Sequence, residues 1–283
     1  MANAILLISC ADQKGITAAV TQFVAAHGGN ILHADQHIDA QSNTFFMRIE
    51  WSLDGFTIAR EDINQGFAKV ATSFKMDWKL HFTDVKQRVA IFVSKHLHCL
   101  YDLLYRYASG QFSCEIPLII SNHDVARGIA DEFGIAYHKF EIDKENKLEQ
   151  EKKEIELLQR ENIDLILLAR YHQIFTKQMI DVFDKRIINI HHSFLPAFVG
   201  KSPYAQAYKK GVKIIGATSH YVTEDLDQGP IIEQDTVRIS HRDEVIDLVR
   251  KGEDLEKIVF SRAFKLALEH KILCYENKTV IFD

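Results

Sequence analysis

A few polar residues in the second half of the chain have the types and the spacing that acyl chemistry requires. Asn189 and His191 stand two apart in the apolar run IINIH, and His220 and Asp227 follow in GATSHYVTEDLDQG. Residues two apart on a strand share one face, so the amide and the imidazole would point the same way. An amide can stabilise an oxyanion, and an imidazole can do so or carry a proton. A buried carboxylate can orient or ionise the imidazole, so the set suits acyl transfer without a covalent intermediate.

The same residues also have structural interpretations, which the spacing alone leaves open. A histidine at a strand end is commonly a hydrogen-bonded structural residue, and Asp-x-Gly is commonly a turn. The adjacent pair His191-His192 suggests a metal site, but neighbouring strand residues point to opposite faces and chelate poorly. His192 would therefore face away if the strand continues. Because no Cys or acidic cluster has zinc spacing, we predict no metal ligand.

The composition excludes several classes of protein. With 283 residues, 47% apolar and 26% charged, the chain suits a soluble protein of two domains. A net charge of −5 gives no basic surface for nucleic acid, and no apolar run is long enough to span a bilayer. The N-terminus lacks the basic leader of a signal peptide. The scattered cysteines predict reduced thiols in a cytoplasmic protein; they are Cys10, Cys99, Cys114 and Cys274.

The alternation of strand and helix patterns predicts the fold that positions these residues. Residues 1–84 follow the order β-α-β-β-α-β, with a hairpin turn near 41–43. From residue 85 to 283, continuous apolar strands alternate with helices, which predicts an α/β domain with a doubly wound, mostly parallel sheet. Ligands of such sheets bind beyond the carboxyl ends of strands, where Asn189 and His191 are expected. The polar stretch 83–88 is the expected domain boundary.

Three longer stretches of the sequence are distinctive: NIHHSFLPAF, PYAQAYKKGVKIIGATSHYVTEDLDQGPII and HRDEVIDLVRKGEDLEK. Together they resemble the formyltetrahydrofolate deformylase family. Residues 88–283 are similar, more broadly, to the folate-dependent formyltransferase fold. The resemblance implies that Asn189, His191 and Asp227 are the catalytic trio, and that 10-formyltetrahydrofolate is hydrolysed to tetrahydrofolate and formate.

The resemblance also implies where the folate binds. The loop RYHQIFT and the turn TEDLD would hold the pterin ring, largely through backbone groups. Lys201 is a weaker candidate, as a cation near the glutamate tail. No cofactor is expected, because the folate is the substrate. The expected substrate-binding residues are His172, which stands in place of a methionine, and Gln173, Ile174, Phe175, His220, Thr223 and Glu224.

Water is the expected acceptor of the formyl group. The related glycinamide ribonucleotide formyltransferase has a glycine-rich turn after the first strand, and such turns bind phosphate through backbone N–H groups. Here no glycine occurs between Ser94 and Leu104, although Lys95, His96 and His98 could bind an anion. The sequence HHS, where the transferase has HPS, also favours water as the acceptor. An amine-directed formyltransferase and a non-catalytic amino-acid sensor remain alternatives.

Residues 1–84 resemble an ACT domain, with DQKGI after the first strand. The resemblance implies a regulatory module that pairs with another copy, so we expect a homo-oligomer, a dimer or a tetramer. An amino-acid effector would bind near Asp12, Gly15 and Asn30. In the alternative interpretation, Asp12 caps the first helix and Gly15 fits the turn. The implied metabolic role is in one-carbon and purine metabolism.

Overall fold

The computed structural model describes residues 2–197 and 203–282, and these form two compact units. The first unit is Met1–Lys86 with Glu269–Tyr275 and Val280–Asp283, and the second is Gln87–Leu268 with Glu276–Thr279. The sequence prediction assigned everything after residue 84 to one domain, whereas the structure groups most of the C-terminal segment with the first unit. Lys201 lies outside the described residues.

The first unit is built on a four-stranded antiparallel sheet with strand order β2-β3-β1-β4. This order confirms the predicted ferredoxin-like arrangement, and β2 and β3 form the predicted hairpin. β1 and β3 are central and largely buried, whereas β2 is an exposed edge strand. The elements are β1 (Asn3–Ala11), α1 (Ile16–Ala26), β2 (Asn30–Asp39), β3 (Thr44–Ser52), a 3₁₀ turn (Arg60–Asp62), α2 (Ile63–Phe74) and β4 (Asp77–Phe82).

Two apolar layers cover the two faces of this sheet. On one face, Leu6 and Ile8 of β1 pack with Val20 of α1 and Phe67 of α2. Because side chains alternate along a strand, Leu7 points the other way, where it clusters with residues of the C-terminal segment such as Phe282. That burial is the physical reason why the end of the chain belongs to the first unit.

The second unit is built on a seven-stranded sheet with strand order β11-β10-β9-β8-β5-β6-β7. Five neighbouring strands, β7, β6, β5, β8 and β9 in sheet order, pair in parallel. β10 pairs antiparallel with both β9 and β11. The predicted mostly parallel, doubly wound sheet is thus confirmed. The strands are β5 (Gln87–Val93), β6 (Cys114–Ser121), β7 (Ala136–Lys139), β8 (Leu165–Ala169), β9 (Ile187–His191), β10 (Ile214–Tyr221) and β11 (Ile231–Arg238), and β12 (Ile272–Tyr275) and β13 (Lys278–Ile281) form the terminal hairpin.

Helices connect the strands of the second unit, and their apolar sides form its core. Phe92 of β5 packs edge-on against Tyr171 and Phe175, which follow β8. No helix in residues 2–197 and 203–282 is long and apolar enough to cross a membrane. The helices are α3 (His98–Ala108), α4 (Arg127–Glu132), α5 (Lys147–Arg160), α6 (Lys177–Val182), α7 (Pro203–Lys210) and α8 (Val245–Leu268).

The chain changes direction across the sheet between β5 and β8. From β5 it continues outward through β6 and β7, and it then returns to β8 on the other side of β5. Such a switch opens a crevice at the carboxyl ends of the strands. The segments that leave β8 and β9 therefore lie where a ligand site is expected.

Phe92→Ala is expected to destabilise the second unit by about 3–5 kcal/mol, because it removes a fully buried ring that no neighbour can replace. Chemical denaturation followed by far-ultraviolet circular dichroism measures the change in the free energy of unfolding. The matched control is Tyr105→Ala, since the Tyr105 side chain is 68% exposed. Equal unfolding midpoints for the two variants would contradict the assignment of Phe92 to the core.

Candidate active site

A cavity of about 600 Å³ opens at the carboxyl ends of β8 and β9, within the second unit. Its walls are the segment after β8, the end of β9 and the turn after β10. The structure brings all the residues that were predicted to be catalytic or substrate-binding to this one cavity. They are His172, Gln173, Ile174, Phe175, Asn189, His191, His220, Thr223, Glu224 and Asp227.

The antiparallel pairing of β9 and β10 sets the orientation of the Asn189 amide. His220 lies directly opposite Asn189 in the register. The His220 Nδ1–H donates to the Tyr221 carbonyl at 2.9 Å, because a carbonyl only accepts. In the neutral ring Nε2 is then an acceptor, and it receives an N–H of Asn189 at 3.2 Å. The second N–H of the amide remains for a ligand in the cavity.

Asp227 approaches both histidines of the site. Its Oδ2 lies 3.2 Å from His191 Nδ1, and its Oδ1 lies 3.7 Å from His220 Nε2. Burial by itself would raise the pKa of Asp227, but its contacts with His191 and then His220 outweigh burial, so that the pKa falls below its ordinary value. The carboxylate is therefore ionised at neutral pH.

The other ring nitrogen of His191 has no partner in the described part of the chain. His191 Nε2 is buried and makes no hydrogen bond with any described residue. Because Nδ1 faces Asp227, Nε2 is the atom that can meet a ligand. Burying an imidazole nitrogen without a partner is unfavourable, and such groups are concentrated at functional sites.

A tight turn carries Asp227 to this position. Asp227 has φ 56°, a left-handed conformation that Asp tolerates better than most residues. A Cβ at Gly229 would lie 1.8 Å from the Tyr221 carbonyl oxygen, so only glycine allows the turn to pass β10. Asn277 Nδ2 donates to the Gln228 carbonyl at 2.8 Å and supports the turn from the side.

The segment after β9 is fixed by Thr218, a buried residue of β10. Its hydroxyl donates to the Ser193 carbonyl at 2.9 Å and accepts from the Leu195 N–H at 3.1 Å. His192 was expected to face away only if the strand continued, and β9 ends at His191. His192 lines the same cavity, with its ring centroid 5.1 Å from that of His191.

A buried carboxylate lies next to the cavity, and the sequence analysis did not predict it. Glu256 of α8 is 1% exposed and accepts from Tyr204 Oη at 2.6 Å. Its Oε2 lies 2.9 Å from His98 Nε2 and 3.5 Å from Arg170 Nε. Arg170 lines the cavity. His98, which the sequence suggested could bind an anion, therefore pairs with this buried carboxylate.

The charge of Arg170 affects the imidazoles around it. Burial first, and then Arg170, lower the pKa of His192 to about 3. The same causes, in the same order, lower the pKa of His172 and of His96. These rings are therefore neutral at physiological pH, and Arg170 is the cation of this part of the site.

One group of side chains has the types that could hold a metal ion. Among the described residues, potential ligand atoms of His98, Cys99 and Glu256 lie within 4.8 Å of one another. The Glu256 carboxylate already accepts hydrogen bonds from Tyr204 and lies beside the Arg170 guanidinium. A divalent cation would meet that positive charge, so this donor set does not fit a metal ion.

Comparison with known proteins decides which family combines these features. The model of the family described as Formyl transferase matches residues 87–264, and the model of the ACT domain matches residues 4–64. A formyltetrahydrofolate deformylase of Synechocystis sp. is 54% identical, with 99% of this chain and 98% of the relative covered. The chain belongs to the formyltetrahydrofolate deformylase family.

Further comparisons agree with this assignment. A formyltetrahydrofolate deformylase of Bacillus subtilis is 47% identical, with 98% of this chain and 93% of the relative covered. The crystal structure of a formyltetrahydrofolate deformylase from Pseudomonas syringae pv. tomato superimposes with a TM-score of 0.98 at 43% identity. It covers 100% of this chain and 95% of that one. This member of the family thus has both the ACT and the formyl transferase parts.

The candidate effector residues of this deformylase-family chain lie in the first unit. Gly15 is the N-cap residue of α1 with φ 95°, and no side chain caps the helix. The alternative that Asp12 caps α1 is therefore wrong, whereas Gly15 does fit the turn. The Asp12 N–H donates to the Asn43 carbonyl at 2.9 Å, and Asn30 begins the exposed strand β2. Their role in effector binding stays a prediction.

Gly229→Ala is expected to displace the turn that carries Asp227, because the added Cβ has no space beside Tyr221. Overpacking of this kind costs about 1–3 kcal/mol in the free energy of unfolding. Gly128→Ala is the control, since nothing lies within 4 Å of a Cβ there and the residue is helical. Wild-type denaturation midpoints for both variants would show that the turn does not need glycine.

Proposed function

We propose that this protein hydrolyses 10-formyltetrahydrofolate to tetrahydrofolate and formate at the cavity of the second unit. Whole-chain membership of the formyltetrahydrofolate deformylase family supports the reaction. The single observation that supports the site is the convergence of Asn189, His191 and Asp227 on one cavity, where the carboxylate lies 3.2 Å from His191 and 3.7 Å from His220, the partner of the Asn189 amide. No cofactor enters this reaction, because solvent supplies the nucleophile.

Asn189 and His191 would stabilise the tetrahedral intermediate. When water attacks the formyl carbon, the carbonyl oxygen becomes an oxyanion that needs aligned donors. The Asn189 N–H that is not bonded to His220 is one donor, and a protonated His191 Nε2 is the other. His220 then acts by orienting the amide, a role that differs from the predicted contact with substrate. Because His220 is 2% exposed, it is suited to that fixed role.

The His191–Asp227 pair would act as the general base and general acid of the reaction. Asp227 holds the His191 Nδ1–H and stabilises the imidazolium, as expected for a carboxylate whose pKa is lowered. The pair takes one proton from the attacking water, which makes His191 Nε2 the protonated donor, and this proton passes to N10 of the folate as the C–N bond breaks. The second proton of the water leaves with formic acid, which ionises to formate.

The walls of the cavity suit the pterin ring of a folate. Phe175, Ile174 and Leu226 supply apolar surface, and backbone groups of the segment after β8 remain for the polar edge of the ring. At the rim, Glu224 pairs with Lys177, and the Thr223 hydroxyl donates to the Asp225 carbonyl at 3.2 Å. Thr223 and Glu224 would therefore shape the turn, and its backbone would contact the substrate.

Purified protein is expected to release formate from 10-formyltetrahydrofolate without any amine. The physical reason is that the helix after β5 begins without a glycine-rich turn that would bind a phosphorylated acceptor, and that Glu256 is already bonded to His98 and Tyr204. Formate measured with and without glycinamide ribonucleotide distinguishes the candidates. A strict requirement for the amine would establish a transferase, and no turnover in either case would favour a sensor.

Asn189→Ala is expected to lower kcat by about 10²–10³, the usual effect of losing one oxyanion donor. Steady-state formate release measures it, and Asn64→Ala, an exposed asparagine of α2, is the control. His220→Ala should cause a smaller loss, because the amide remains but loses its orientation. Wild-type turnover in Asn189→Ala would refute the assignment of the oxyanion site.

The ACT part of the chain suggests regulation by an amino acid, and we include this in the proposal. The effector would bind near Asp12, Gly15 and Asn30, and the protein would act as a homo-oligomer in the cytoplasm, where deformylation balances the one-carbon units available for purine synthesis. The match of residues 4–64 to the ACT model and the exposed edge strand β2 support this part.

A further inference from the structure

Helix α5 directs two glutamates into the interior of the second unit. Glu151 and Glu154 are 3% and 1% exposed, although the rest of this charged helix has many solvated residues. Residues three apart share a helix face, so both carboxyl groups reach the same region. Burying two carboxyl groups is unfavourable compared with an apolar pair of similar volume, so stability alone does not explain them.

Glu151 holds one end of the cavity wall. Its two carboxylate oxygens accept the backbone N–H of Thr176 at 3.0 and 3.1 Å, and Oε1 also accepts the Thr176 hydroxyl. Thr176 is the N-cap residue of α6, and its own side chain makes no capping bond there. A helix distant in sequence therefore fixes both the backbone and the side chain of this residue.

Glu154 holds the other end of this cavity wall, at Tyr171. Its Oε1 accepts a hydrogen bond from Tyr171 Oη at 3.3 Å, and its Oε2 is buried without a partner among the described residues. Burial, and then the nearby Glu151, raise the pKa of Glu154 to about 8, while the Tyr171 hydroxyl opposes the rise. Glu154 is therefore a neutral carboxylic acid at physiological pH.

The segment between these two ends is a wall of the cavity. Residues 171–175 all line it, and their two anchors are Tyr171 and Thr176. We propose that Glu151 and Glu154 are positioning residues, which hold this segment in the conformation that binds the folate ring of the substrate. The proposal deepens the function proposed above and rests on it. Neither glutamate lines the cavity, so each acts through the wall and not on the reacting atoms.

The pair makes substrate binding sensitive to alkaline pH. The titratable groups that act on Glu154 are Glu151 on its own helix and Tyr171 on the segment after β8. The pKa of Glu154 is higher in the folded than in the unfolded protein, so the stabilisation is complete below the unfolded value and is lost as pH rises through about 8. Above that pH the negative charge that Glu154 acquires in the interior would loosen the end of the wall at Tyr171.

Steady-state kinetics of single variants test the proposal. Glu151→Ala is expected to raise KM for 10-formyltetrahydrofolate roughly tenfold or more, the effect of losing charge-assisted hydrogen bonds, with kcat changed much less. Glu151→Gln should recover part of the affinity, because its amide oxygen still accepts from Thr176. The KM of the wild type should rise above pH 8, whereas Glu154→Gln, which is neutral at all pH values, should show a flat profile.

The control is Glu149→Gln on the same helix, since the Glu149 side chain is 69% exposed and pairs only at the surface with Lys153. Unchanged KM in Glu151→Ala, or the same alkaline rise in wild type and Glu154→Gln, would overturn the proposal. A lower unfolding temperature with unchanged KM would also overturn it, because the pair would then serve stability alone.

Hydrogen–deuterium exchange separates this proposal from the proposed function. Peptides that cover residues 171–176 should exchange faster in Glu151→Ala than in the wild type, whether or not the protein hydrolyses the folate. Wild-type exchange in that variant would refute the positioning role. Inactive wild-type protein with faster exchange in the variant would refute the hydrolysis and leave the wall anchored as described.

Discussion

The contact between the Asp227 carboxylate and His191 Nδ1 is the interaction on which the site depends. At 3.2 Å, in surroundings that leave 13% of the Asp227 side chain exposed, the carboxylate fixes the proton on Nδ1 and leaves Nε2 for the ligand. Without that contact, the imidazole could adopt either tautomer. The turn that carries Asp227 exists only because Gly229 lets the chain pass β10 closely.

The antiparallel pairing of β9 and β10 is the second constraint on the site, because the strand direction decides where the turn after β10 lies. β10 runs antiparallel to β9 and places His220 opposite Asn189. Because β11 is in turn antiparallel to β10, a short turn connects them, whereas a parallel strand would have needed a long crossover. The turn between β10 and β11 therefore delivers Asp227 beside residues at the end of β9. The Asn189 amide and the Asp227 carboxylate are positioned by the same pair of strands.

Buried carboxyl groups surround this site, and they differ in their electrostatic state. Asp227 and Glu256 have lowered pKa values despite burial, because His191 faces one, and His98 and Arg170 face the other. Glu154 has a raised pKa, because burial is reinforced by another carboxyl group. The first two therefore orient the side chains that face them, whereas the third, as a neutral acid, accepts a hydrogen bond from the Tyr171 hydroxyl.

The sequence by itself determined the two-part fold, the family, and the presence of Asn189 and His191 on one strand face. Strand and helix periods and local motifs carry that information, because they depend on near neighbours in the chain. Only the tertiary structure decided that His220 orients the amide, that His192 turns into the cavity, and that the C-terminal segment covers the first sheet. It alone revealed the carboxylates Glu151, Glu154 and Glu256 in the interior, because their partners are distant in sequence and a charged helix pattern predicts solvated glutamates.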